Sequence, residues 1–170
     1  LRAVLEPFLE LGLPPPQAKS RSLGKHGEGR CLRERNRVFE GEYDSLTIEG
    51  CEQARVRNAR VRALRILDSS VTVDDSRIGG GKTGLYARGS TVVVTGGHIE
   101  GDVAVVTNGS RLDLAAVEVE GREAAVAAEA GAEAAAPQRS SVVFSLSRIR
   151  SPITRGELHD SYSITPENPL

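Results

Sequence analysis

Apolar residues between positions 43 and 153 come as a doublet two apart, then a single residue five further on. Val71, Val73 and Ile78 set the template. The same spacing recurs at Val92, Val94 and Ile99, at Leu112, Leu114 and Val119, and at Val142, Phe144 and Ile149. The copies begin 21, 20 and 30 residues apart. Nine positions after each start sit Gly80, Gly101, Gly121 and Ser151; fourteen positions after the first three sit Leu85, Val106 and Val126. Residues 128–141, AEAGAEAAAPQRSS, lengthen the last step by a low-complexity insertion. An earlier, less regular turn uses Leu46, Ile48, Val56, Leu64 and Ile66.

Each doublet sends two side chains to one side of a strand. Strands this short cannot each bury a face alone. Stacking the copies at the sheet spacing of ~4.8 Å lets equivalent residues lie on one another. The period therefore predicts an all-β fold, a right-handed single-stranded parallel β-helix of about five turns, with Val71, Val92 and Leu112 in one internal column. The Leu/Asn signature of a leucine-rich repeat is absent, and a sandwich would not hold a 20-residue phase.

The flanks lack this phase. Leu1, Val4, Leu5, Phe8 and Leu9 form a stripe at helical spacing, ended by Gly12 and the run Pro14-Pro15-Pro16. The stripe is expected either to cap the first turn or to belong to a neighbouring domain. Residues 17–30 are polar and aperiodic and read as a linker or arm. The expected organisation is an N-terminal segment over 1–42, a β-helix over 43–153 and an extended tail over 154–170. The tail, with Pro166 and Pro169, is expected to lie along the outside.

Composition agrees with a folded chain of modest aromatic content. The 170 residues are 39% hydrophobic and 4% aromatic, without Trp, so the core must be aliphatic. Lys and Arg number 22 and Asp and Glu 23, which argues against a whole-chain field for nucleic acid or a membrane surface. No apolar run approaches the ~20 residues of a transmembrane helix. A first residue Leu1 and the lack of Met read as a trimmed piece of a longer product. Cys31 and Cys51 stand apart from any Cys/His cluster. Two readings stay open for them: buried thiols, or one disulfide in an exported protein.

The segments SSVTVDDSRIGG, STVVVTGGHIEG and SRLDLAAVEVEG resemble turns of right-handed parallel β-helices of the pectate-lyase-like type. The run GLYARGSTVVVTGGHIEG, followed by NGSRLDLAAVEVEG, is similar to turns of pertactin-like autotransporter passengers. The resemblance covers about residues 45–153. It implies a fold rather than an activity. The catalytic aspartate clusters and calcium sites of the β-helical enzymes do not map onto this sequence.

Candidate chemistry is sparse. Gly79-Gly80-Gly81-Lys82-Thr83 ends like a phosphate-binding loop, but Ser76 stands where the first Gly belongs and the β pattern continues after it, so a corner loop is expected. Asp74 and Asp75 are an adjacent acidic pair whose place is taken one turn on by Thr95 and Gly96; Asp is also a bend residue. His98 is expected to point outward beside Ile99. Asn108-Gly109-Ser110 matches a glycosylation acceptor and equally an ordinary corner. Arg55, Arg57, Arg60, Arg62 and Arg65 alternate with inward residues and are expected outside, as a solvated face or as a patch for an anionic ligand.

These features point to a non-enzymatic, exported β-helix domain of a bacterial envelope or surface protein, structural or adhesive, with no catalytic residue, metal or cofactor assigned. Its expected partners are an acidic polysaccharide or an envelope protein, with association through the helix ends or the N-terminal segment. The alternatives are a carbohydrate-active lyase, hydrolase or epimerase, and a cytoskeletal β-helix that polymerises end to end.

Overall fold

The structure, a computed structural model, describes residues 24–130 and 139–170. The stripe of residues 1–12, the proline run and most of the insertion lie outside the described residues. Eleven strands carry the described fold: β1 (Lys25–Leu32), β2 (Val38–Glu49), β3 (Ala54–Val61), β4 (Leu64–Leu67), β5 (Ser70–Gly79), β6 (Thr83–Arg88), β7 (Thr91–Asn108), β8 (Arg111–Ala115), β9 (Glu118–Ala128), β10 (Ser140–Arg150) and β11 (Arg155–Ile164). All pairings but the last are parallel, and they wind into a β-solenoid of about five turns.

Three faces of inward side chains fill the solenoid. On the first face Val71 pairs with Val92, Val92 with Leu112 and Leu112 with Val142, as the repeat predicts. On the second face Val61, Ile78, Ile99, Val119 and Ile149 stack in register. On the third face Ile48, Ile66, Ala87, Thr107 and Ala128 form one column and Leu46, Leu64, Leu85, Val105 and Val126 its neighbour. Almost every member of these columns is fully buried. Parallel in-register stacking packs like on like, so the core is continuous although no strand has a large apolar face.

One column member differs from the expectation. Val105, not Val106, stacks on Leu85 and Val126. The corner from Ile99 to Val105 is one residue shorter than those from Ile78 to Leu85 and from Val119 to Val126, and the β7–β9 register shifts between Gly101 and Val103. A one-residue slip moves a side chain to the opposite face, so Val106 lies partly outside.

Two corners hold their bends by different chemistry. At the bend between the first and second faces, Asn58, Asp75, Gly96, Ala116 and Leu146 all take positive φ, from 47° and 43° to 71°, 55° and 53°. Asp75 is therefore a bend residue. At the corner after the third face, Ser69, Ser90, Ser110 and Ser140 stack. The Ser69 N–H donates to the Ser90 hydroxyl, the Ser90 N–H to that of Ser110 and the Ser110 N–H to that of Ser140, at 3.1, 3.1 and 3.2 Å. These hydroxyls satisfy backbone donors that a tight corner would otherwise bury unpaired.

The ends depart furthest from the sequence reading. β1 begins inside the stretch expected to be an arm, runs past its end and pairs with β2 over Lys25–Leu32. Its inward positions are Gly29 and Cys31, where the next turn has Leu46 and Ile48. A side chain at Gly29 would collide with the Tyr43 ring and Leu46, which fill its space. At the other end the tail is extended but does not run along the side. β11 turns back antiparallel on β10, and Leu170 exchanges backbone hydrogen bonds with Val126. Together they cover the exposed edges of the last turn.

Candidate functional site

The five arginines of the predicted patch are all on the exterior, and the fold divides them into three environments. Arg55 and Arg57 lie on the first face, 3.9 Å from Asp74 and 2.5 Å from Glu40 respectively. Arg65 lies on the third face with its guanidinium 4.7 Å from the centroid of the Tyr86 ring. Exposed pairs of this kind each contribute about 0–1 kcal/mol. Arg60, near the end of β3 past the Asn58 bend, and Arg62, just after β3, have no ion pair among the described residues.

That bend opens into two adjoining grooves. The larger, about 670 Å3, runs past Lys25, Asn58, Arg60, Asp75, Arg77 and His98. The smaller, about 400 Å3, is lined by Lys25, Glu42, Tyr43, Asp44, Arg60 and Arg62. Lys25, Glu42 and Arg60 border both. The positive-φ column explains the shape. Each left-handed residue turns the strand sharply, so successive rungs bring Lys25, Glu42, Arg60, Arg77 and His98 into one outward column. Lys25 lies outside the repeat, and only the pairing of β1 with β2 brings it here.

Charges in the groove are mixed and incompletely paired. Arg77 holds Glu100 at 2.9 Å. His98 is only 17% exposed and sits among carboxylates: Nε2 lies 3.5 Å from Glu100 and 3.8 Å from Glu120, and Nδ1 lies 3.5 Å from Glu118. Its Nε2 is buried without a hydrogen-bond partner among the described residues. His98 thus points outward as expected, but as a packed member of a charge ladder. Lys25, Arg60 and Arg62, like Glu42, Asp44 and Asp75, have no ion-pair partner within 4 Å among the described residues. Among the described residues the groove offers guanidinium forks and carboxylates that are not paired with one another.

The other sequence candidates resolve individually. Asp74 faces Arg55 while Asp75 lines the groove, so the adjacent carboxylates do not converge. Gly79-Gly80-Gly81-Lys82 is a corner between β5 and β6, and a strand follows it. The Asn108 side chain donates to Glu129 at 3.0 Å and precedes Gly109 at positive φ, an ordinary corner. No helix among the described residues is long and apolar enough to cross a membrane.

Cys31 and Cys51 form a disulfide, buried at the N-terminal end of the solenoid. No protein-family model, curated protein or solved structure matches the chain.

Proposed function

We propose that this chain is a non-enzymatic, exported β-solenoid of a bacterial envelope or surface protein, and that the bend groove binds an acidic polysaccharide. The observation that carries the reading is that Arg60 and Arg62, and beside them Glu42, Asp44 and Asp75, have no ion-pair partner among the described residues. A guanidinium fork suits a uronate carboxylate. Carboxylates accept hydrogen bonds from sugar hydroxyls. A simple anion would use the first set and be repelled by the second. The disulfide supports an oxidising compartment, where such bonds persist. The similarity of the turns to pectate-lyase-like and pertactin-like β-helices accords with an extracellular role.

Titration calorimetry with sodium polygalacturonate tests the proposal. Binding without bond cleavage, weakened by salt, is the expected outcome. Turnover of the polymer, with or without calcium, replaces this reading with a carbohydrate-active enzyme. No heat with any uronate polymer removes the polysaccharide as ligand.

A further inference from the structure

We propose that the Cys31–Cys51 disulfide is a redox latch on the groove: reducing it releases β1, and with it the Lys25 wall, while the turns from β3 onward stay folded. The effect on ligand rests on the groove reading above; the release of β1 does not.

Among the described residues β1 pairs only with β2 and forms the N-terminal edge of the sheet. Its inward positions are Gly29 and Cys31, so it buries little aliphatic surface compared with the Leu46/Ile48 and Leu64/Ile66 pairs that follow. In the later turns the corner is tied by stacked serine hydroxyls. Cys51 takes that corner position one turn earlier: its N–H donates to the Ser69 hydroxyl at 2.9 Å, as Ser69 donates to Ser90. Towards the N-terminus the ladder continues as a covalent bond to Cys31. The bond closes a separation of 20 residues. It thus joins a strand with little aliphatic surface of its own to the first complete turn, and that strand carries Lys25, which both halves of the groove share.

The chemistry balances with a dithiol reductant. One of its thiolates attacks a protein sulfur, the S–S bond breaks, and a mixed disulfide forms. The reductant's second thiol displaces the protein sulfur and closes a cyclic disulfide. Two electrons pass to the protein, which ends with two thiols. The bond is buried, so attack waits on fraying of the terminal strand.

Hydrogen exchange on the full chain, oxidised and reduced, reads the latch directly, with the double variant Cys31→Ser/Cys51→Ser as a reductant-free counterpart. Expected is a loss of protection of roughly tenfold or more at β1 amides, with β10 amides nearly unchanged. Unchanged β1 protection overturns the proposal, as does loss of protection in all strands together. Calorimetry with sodium polygalacturonate is then run on the oxidised chain, the reduced chain and oxidised Lys25→Glu. Reduction and Lys25→Glu are expected to weaken binding by similar factors, whereas equal affinity of the oxidised and reduced chains refutes the link to the groove. An oxidised chain that ignores the polymer refutes the ligand, and the exchange data still decide the latch.

Discussion

The backbone N–H of Cys51 donates to the hydroxyl of Ser69 at 2.9 Å, which places Cys51 in the corner column otherwise built from serines. The two cysteines are therefore not equivalent. Cys51 sits where a hydroxyl is at home: its Sγ already accepts from the Glu34 N–H at 3.5 Å. Cys31 lies among aliphatic side chains beneath Ile48. Either single serine variant loses the disulfide, about 3 kcal/mol for a loop of this size. Cys31→Ser is expected to lose a further ~1–3 kcal/mol, because a hydroxyl there lacks an acceptor. Urea unfolding of both variants checks this; equal losses would show that the column position of Cys51 does not matter.

The serine ladder itself predicts a cost. In Ser90→Ala the buried N–H of Ser69 loses its acceptor, and the Ser90 hydroxyl's own donation to Arg88 O at 2.8 Å disappears. A loss of about 1–3 kcal/mol is expected, against nearly none for an exposed serine such as Ser161. A Ser90→Ala chain as stable as the parent would mean that the corner donor finds water.

One pair of variants separates inside from outside. Leu112 is fully buried between Val92 and Val142, and Leu112→Ala is expected to cost about 2–5 kcal/mol. Val93 is adjacent to Val92 on the same strand but is 38% exposed. Val93→Ala should change stability by no more than ~0.5 kcal/mol. Thermal or urea unfolding that ranked these two alike would contradict the ladder packing.

The division of the arginines predicts which of them bind. Arg60→Glu and Arg62→Glu should each weaken polygalacturonate binding by about tenfold, or ~1.4 kcal/mol. Arg57→Glu, on the neighbouring face beside Glu40, should leave the affinity near that of the parent. Circular dichroism should be unchanged in all three. A patch that acted as one surface would lose affinity equally at every position.

Tyr86 supplies a pH signature. Burial, then the hydrogen bond it donates to Glu129 and the charge of that carboxylate, push its phenol above the usual value of 10. The folded chain thus favours the neutral ring. Its contribution to stability is complete below the unfolded phenol's pKa and disappears as the pH rises through the raised value. Ultraviolet titration of a Tyr86→Phe variant should lack one late-ionising phenol, and Glu129→Gln should bring the Tyr86 step down. A Tyr86 step unaffected by Glu129→Gln would break the assignment.

What could be read along the chain was the part governed by repetition. In-register stacking makes each inward position repeat at the period of the turn, so the columns through Val71, Val92 and Leu112 and through Ile78, Ile99 and Val119 are legible in the sequence alone. Alternation likewise placed the five arginines outside. Where repetition failed, tertiary structure decided. β1 could not be recognised because Gly29 leaves its space to Tyr43 and Leu46, a contact made from the next turn. Strand periodicity points to Val106, but corner length sets the register there and places Val105 in the column. The pairing of Cys31 with Cys51, the closing of the last turn by β11 and Leu170, and the meeting of Lys25 with Arg60 all join residues far apart in sequence. Such contacts depend on how many residues each corner consumes, and local pattern carries no record of that.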